Sequence, residues 1–286
     1  MNPSPKKPVR VRFAPSPTGP INIGNIRTAL FNWLFAKHKS ASVKATADEE
    51  GEFLLRIEDT DRARSEKRHE KEILEGLRWL GLEWDNKKLI RQSERIEIYR
   101  KYLNKLLDES HAYYCFCSAE ELEVERQAQL SQGLPPKYSG KCRRLNPEVA
   151  SKKAKSELAI IRFKIPTTQG HFQDIIRGMV AYNGELLGDI IIAKSLNEPL
   201  YNFAVVGDDH EMEITHVIRG EDHLSNTPKQ IFIQEALGIP RPHYAHLPLI
   251  LGPDRKKLSK RYLDKSLLDY KKEGYLPEAM INFLVL

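Results

Sequence analysis

Apolar residues recur along this chain at two spacings that take turns. Val9 to Ala14 alternates as a short strand, closed by the stiff turn Pro15-Ser16-Pro17-Thr18-Gly19-Pro20. From about Asn25 to His38 the period lengthens, and Ile26, Ala29, Leu30, Trp33 and Leu34 fall on one helical face. Phe53 to Ile57 predicts a second strand that runs into Glu58-Asp59-Thr60-Asp61, and the charged stretch Ser40 to Gly51 before it reads as an exposed insertion. Two helices follow: one capped by Ser65, carrying Ile73, Leu74, Leu77 and Leu80 to a stop at Gly81, and one capped by Ser93 through Ile96, Tyr99, Leu103 and Leu106.

The middle of the chain changes character. Ser118 with Glu121 forms a capping-box pattern for a helix ending at Gly133, a Pro-Pro loop follows, and strands dominate from Ile160 to Ala193. The α/β alternation then returns, with a strand at Ile214 to Ile218 and a helix from Thr227 to Leu237 that holds Pro228 at a permitted early position. Another strand is expected at Leu247 to Leu251, before the basic loop Asp254 to Arg261. Pro277 opens a last apolar helix that meets no capping Gly or Asn, so we expect chain to follow Leu286. Strand, helix, strand at the start predicts a parallel α/β sheet. The pattern as a whole predicts one nucleotide-binding domain split by an inserted one: residues 1–110 and 201–262 as its halves, 111–200 as the insertion, and 263–286 as the start of a helical domain.

Composition changes this picture little. With 286 residues, 41% hydrophobic and 29% charged, the chain can build a full core. Lys+Arg 45 against Asp+Glu 39 leaves +6, which is compatible with a polyanionic partner without requiring one. No apolar run approaches the roughly 20 residues of a membrane span, and the basic N-terminus lacks a signal-peptide core. Three cysteines, two of them one residue apart, argue against a disulfide framework and for a cytoplasmic setting.

Two segments carry candidate chemistry. The turn Pro15 to Asn25 brings Gly24 to the mouth of a helix, whose free N–H groups and partial positive charge suit an anionic ligand. The loop Asp254-Arg255-Lys256-Lys257-Leu258-Ser259-Lys260-Arg261 gathers five cations that suit a triphosphate. Alone, each is also what an ordinary turn or a solvated charge run looks like.

Together they resemble the two signatures of class I aminoacyl-tRNA synthetases. Pro15 to Gly19 with Ile23-Gly24-Asn25 resembles the first, HIGH, and Lys257-Leu258-Ser259-Lys260-Arg261 the second, KMSKS. Arg56 to Asp61, Val217 to His223, Tyr201 to Val206 and Gly274 to Ala279 are similar to segments of the glutamyl-tRNA synthetase branch, so the resemblance runs from Arg10 to Leu286. It implies a Rossmann-like doubly wound parallel sheet split by an α+β acceptor-stem-binding domain. It also implies a cytoplasmic, monomeric ligase that activates L-glutamate with ATP and Mg²⁺ and transfers it to tRNA-Glu.

Residue by residue, the resemblance makes Lys257, Lys260, Asn22 and Asn25 catalytic, and places Gly19, Gly24, Asn25, Ser259 and Lys260 on ATP. It assigns Arg12, Ser16, Glu58, Tyr201 and Arg219 to glutamate, with Arg12 on the side-chain carboxylate and Glu58 on the α-ammonium. Asn22 departs from the family, which has histidine there, and puts the rate of adenylate formation in question. Cys115, Cys117, Tyr138 and Cys142 resemble a zinc site of some members, with Arg144 standing where some relatives have histidine; three reduced cysteines is the other reading. The family's anticodon-reading helical domain is absent from these residues. Two alternatives stay open: a glutamyl-queuosine tRNA-Asp synthetase, against which the segments at Arg56 and Gly274 speak, and a non-catalytic paralogue, against which Lys257 and Lys260 speak.

Overall fold

The computed structural model describes residues 8–40, 51–251 and 265–286. In chain order it begins with β1 (Arg10–Phe13), α1 (Ile23–Ser40), β2 (Glu52–Ile57), α2 (Lys67–Trp79), β3 (Ile90–Arg91) and α3 (Ile96–Asp108). The middle holds β4 (Ala112–Cys115), α4 (Ala119–Ser131), α5 (Pro147–Lys153), β5 (Ile160–Phe163), β6 (Gln169–Asp174), β7 (Gly178–Asn183), α6 (Gly184–Leu187), β8 (Ile190–Ser195) and β9 (Glu198–Pro199). It closes with α7 (Tyr201–Glu211), β10 (His216–Gly220), α8 (Thr227–Leu237), β11 (His243–Leu247), α9 (Leu267–Lys272) and α10 (Pro277–Val285).

β1, β2 and β3 pair in parallel, as do β10, β11 and β6, with β7 antiparallel on the outer edge. The two groups meet where Thr215 N–H donates to Arg10 O at 2.9 Å and Arg10 N–H to Thr215 Oγ1 at 2.9 Å. The spatial order is therefore β3-β2-β1-β10-β11-β6, and successive crossovers leave β1 in opposite directions. That reversal opens a crevice at the carboxyl ends of β1 and β10, the usual ligand position in a doubly wound sheet. β2 reads Phe-Leu-Leu-Arg-Ile because helices cover both faces of a parallel sheet, and Phe53, Leu55 and Ile57 are fully buried.

One core packs Ile26 and Leu30 of α1 and Ile73 and Leu77 of α2 against β2, with Leu267 of α9 and Met280 of α10 completing it. A second joins Leu103 of α3, Phe163 of β5 and Ile192 of β8 to Phe203 of α7 and Phe232 of α8. The antiparallel sheet β4-β5-β8-β9 thus shares its interior with the helices that follow it.

The Ser118 capping box forms as expected, and Gly133 takes φ +71°, a left-handed stop suited to glycine. The other two expected caps do not form. α2 starts after Glu66, which makes no side-chain cap bond, and the Ser65 hydroxyl is buried without a partner among the described residues. Ser93 Oγ instead donates to Asp59 Oδ2 at 2.6 Å, and Arg95 precedes α3. The expected strand Leu247 to Leu251 lies earlier, at His243–Leu247, because His243 and His246 disguise its alternation. Residues 41–50 of the expected insertion lie outside the described residues.

Arg56 is the polar exception in β2, fully buried. Its guanidinium pairs with Glu58 at 2.9 Å, Asp209 at 2.7 Å and Asp208 at 3.8 Å. Asp208 is shared with Arg95 at 2.6 Å, Gln92 and Tyr99, and Asp209 with Arg12 at 3.0 Å. Arginines 12, 56 and 95 thus balance Glu58, Asp208 and Asp209. Burial alone would weaken Arg56's hold on its proton, but Asp209, Glu58 and Asp208 outweigh it and the group stays charged. The network stitches β1 and β2 to α7, which lies about 150 residues further along the chain. Removing one partner of a buried ion set leaves charge uncompensated, so Arg56→Met is expected to lose about 3–5 kcal/mol in urea unfolding. A loss under about 1 kcal/mol would show that the network does not hold the halves together.

Candidate functional site

A cleft of about 620 Å³ opens at the switch point. Its floor comes from the strand ends, through Arg12 of β1, Glu58 after β2 and Arg219 of β10. One wall is the turn Pro15 to Pro20 with the start of α1, including Ser16, Gly19, Asn22, Gly24 and Asn25. Tyr201, His223 and the stretch Leu247 to Ile250 form the other. Eight of the sequence-predicted ATP and glutamate residues line this one space, and they arrive from elements far apart in the chain. Lys257, Ser259 and Lys260 lie outside the described residues.

The helix mouth is held open by its own asparagines. Asn22 Oδ1 accepts the Asn25 N–H at 3.0 Å, and Asn22 O accepts from Ile26 at 3.0 Å. Asn22 therefore acts as the N-cap of α1, a position asparagine suits well. Its Nδ2 has no partner among the described residues and remains available to a ligand. A Cβ on Gly24 would stand 3.3 Å from Asn22 Oδ1, so glycine keeps this mouth open.

The cleft's two arginines differ in their surroundings. Arg12 donates from Nε at 3.0 Å and Nη2 at 3.3 Å to the two oxygens of Asp209, so its charge has a partner already. Burial raises Asp209's pKa, but Arg12 and Arg56 outweigh it and keep the group ionised. Among the described residues, Arg219 hydrogen-bonds only neutral groups. Its Nε donates to His246 Nε2 at 3.2 Å and its Nη2 to Thr227 Oγ1 at 2.7 Å. Its Nη1 is buried without a hydrogen-bond partner among the described residues. An incoming carboxylate would satisfy that nitrogen.

Glu58 is buried, and burial raises its pKa despite the opposing pull of Arg56. An ammonium group beside it would restore its ordinary acidity. Tyr201 donates or accepts at His223 Nδ1, 3.0 Å away. Burial and the nearby Arg219 charge push His223 down to about 4, which keeps the ring neutral near pH 7.

Away from the cleft, Cys115, Cys117 and Cys142 bring their sulfurs within 4.8 Å of one another. Cys117 and Cys142 are 3.7 Å apart, and the Tyr138 hydroxyl lies 3.4 Å from both Cys115 and Cys117. A tetrahedral zinc with Zn–S near 2.3 Å needs sulfurs roughly 3.8 Å apart. The donor set fits such an ion. Arg144, exposed, does not join it.

Several residues at the site escaped sequence reasoning. Asp208 and Asp209 sit in an otherwise apolar stretch, Phe203 to Gly207, and an acidic pair there signals buried cationic partners. His246, Thr227 and Asp174, which stand behind Arg219, carry no such signal, because their meeting depends on how β6 joins β11.

A doubly wound sheet with an anion-receptive helix mouth and a charged cleft at its switch point defines an α/β nucleotide-dependent catalytic domain. Residues 8–286 match the family described as tRNA synthetases class I (E and Q), catalytic domain, and the chain belongs to it. It is 51% identical to the glutamate–tRNA ligase of Desulforamulus reducens and 53% identical to that of Aquifex aeolicus, in each case over 97% of this chain. It covers 58% and 57% of those two proteins, so it spans under three fifths of their length. Among solved structures it resembles the glutamate-tRNA synthetase of Elizabethkingia anophelis, with TM-score 0.86, 37% identity, 98% of this chain and 61% of that one. It also resembles the glutamate tRNA ligase of Elizabethkingia meningosepticum in complex with its amino acid, with TM-score 0.85, 38% identity, 97% of this chain and 60% of that one. No helix among the described residues is long and apolar enough to cross a membrane.

Proposed function

We propose that this chain activates L-glutamate with ATP and passes it to the 3′ end of tRNA-Glu. The observation that carries this reading is Arg219, a buried guanidinium that lines the cleft, with neutral hydrogen-bond partners and one nitrogen unbonded among the described residues. A side-chain carboxylate placed there gains a charge-assisted bond that glutamine could not match. Glu58 attracts the α-ammonium, while Arg12, Ser16 and Tyr201 complete the amino-acid end.

The α-carboxylate then points toward the helix mouth. One of its oxygens attacks the α-phosphorus of ATP, the bond to the bridging oxygen breaks, and pyrophosphate leaves. Gly19, Gly24 and Asn25 let the nucleotide approach the backbone N–H groups of α1. Mg²⁺ travels with the ATP phosphates and neutralises part of their charge. Lys257, Ser259 and Lys260 would stabilise the departing pyrophosphate, a role taken from the resemblance alone. Asn22 contributes its Nδ2–H as a neutral donor. In the second step the terminal ribose hydroxyl of tRNA takes the acyl group from the adenylate. No protein nucleophile is needed, so catalysis rests on positioning and charge. Residues 111–200 would meet the acceptor end of the tRNA, with the chain acting as a monomer in the cytoplasm.

ATP–pyrophosphate exchange in the presence of tRNA-Glu tests the activity. Exchange should require glutamate, and Asn22→His should raise it by roughly 10-fold or more, since one transition-state donor is commonly worth more than that. The same variant loses the α1 cap and should unfold about 1 kcal/mol more easily. Glutamate-independent exchange, or none in either protein, contradicts the reading.

We further propose a structural Zn²⁺ held by Cys115, Cys117, Cys142 and the Tyr138 hydroxyl, the set whose spacing suits a tetrahedral ion. Metal analysis of the purified chain should find about one zinc per molecule, lost in Cys142→Ser. A metal-free wild-type protein of unchanged stability refutes it.

A further inference from the structure

Behind Arg219 stands a buried chain of side chains that no glutamate contact explains. Asp174 ends β6 and is fully buried, as is His246 on β11. Asp174 Oδ1 accepts backbone N–H groups from Ile176 at 2.9 Å, Arg177 at 2.8 Å and His246 at 3.3 Å. Its Oδ2 faces His246 Nδ1 at 2.6 Å. Burial raises Asp174's pKa, but those backbone donors and the imidazole outweigh it and keep the carboxyl ionised. An ionised carboxylate can only accept, so His246 Nδ1 must carry the hydrogen. Burial and Arg219 together hold the ring neutral, and a neutral ring protonated on Nδ1 offers a lone pair at Nε2. That lone pair receives Arg219 Nε–H at 3.2 Å. Thr227 Oγ1, 3.0 Å from the same Nε2, accepts the second bond from Arg219 Nη2 at 2.7 Å. One edge of the guanidinium is thereby fixed, and Nη1 is left over.

We propose that Asp174 and His246 are positioning residues that orient Arg219 through the Nδ1–H tautomer while leaving its positive charge uncompensated. The inference rests on the proposed glutamate site and deepens it. A carboxylate in direct contact would orient Arg219 equally well, as Asp209 does for Arg12, but it would also cancel the charge that attracts a substrate carboxylate. Interposing a neutral imidazole separates the two effects. The relay also has its root in the inserted segment: Asp174 closes β6, and Arg177, at the β6–β7 turn, pairs with Glu221 just beyond Arg219. The insertion therefore reaches the amino-acid pocket through side chains as well as through the shared sheet.

Two variants separate orientation from mere packing. In His246→Gln, the amide oxygen takes the Nε2 position and still accepts from Arg219. In His246→Asn, the shorter amide can reach Asp174 but presents nothing to Arg219. Isothermal titration of the whole chain with L-glutamate, L-glutamine and ATP is the binding measurement. His246→Asn should weaken glutamate by about 10- to 100-fold, as loss of an oriented charged hydrogen bond does, with ATP affinity unchanged. His246→Gln should stay within about threefold of wild type. Equal losses in both variants, or losses shared by ATP, overturn the proposal. Nitrogen-15 chemical shifts of the His246 ring give a readout independent of substrate. A neutral ring protonated at Nδ1 near pH 7 is expected, and an Nε2–H tautomer or an imidazolium overturns the proposal. Wild-type protein that binds ATP but no glutamate would refute the proposed function instead, and the ring tautomer would then decide the relay.

Discussion

The buried Arg56 guanidinium is the constraint around which the site is arranged. A cation at the centre of a parallel sheet is tolerated only when acids surround it, and the acids come from Glu58 and from Asp208 and Asp209 on α7. Residues 111–200 lie between those groups in sequence, so β1 and β2 must meet α7 before the charges balance. Closure also sets the polarity of the cleft. Asp209, already drawn in by Arg56, takes the inner edge of Arg12 as well. What remains at the floor is one arginine in an ion pair and one without an acidic partner among the described residues.

That asymmetry gives the pocket its chemistry. Arg12 and Arg219 occupy comparable places, at the ends of β1 and β10, yet their supports differ in charge. Asp209 holds Arg12, whereas His246 and Thr227 hold Arg219 without offsetting it. A substrate carboxylate is drawn most strongly to the arginine with no acidic partner. The segment between α3 and α7 takes part through Asp174, whose strand hydrogen-bonds to β11, and it carries the sulfur cluster beside the antiparallel sheet. It is thus an integral portion of the pocket's support.

Much of this was legible in the chain itself, for a physical reason. Strand and helix periods and the Pro-rich turn are local properties, and they located the sheet and the helix mouth, while the family resemblance supplied the residues that line the cleft. What escaped depends on tertiary pairing. Ser65 and Ser93 look like caps because serine often is one, but Ser93 found a better partner in Asp59. His243 and His246 hid β11, since a histidine breaks an apolar alternation whether it is exposed or fully buried. The Asp174–His246–Arg219 chain joins three strands distant in sequence, and no spacing rule brings them together. The engagement of Arg12 with Asp209 is visible only once α7 is folded against β1.

The most direct test of the account is the affinity of the chain for L-glutamate against L-glutamine, compared between wild type and Arg219→Gln. If Arg219 supplies the uncompensated charge, wild type prefers glutamate by about 100-fold or more, as sites built around a charged hydrogen bond do, and the variant loses most of that preference. If the variant keeps the preference, the discriminating charge lies elsewhere and the asymmetry between the two arginines has no bearing on recognition.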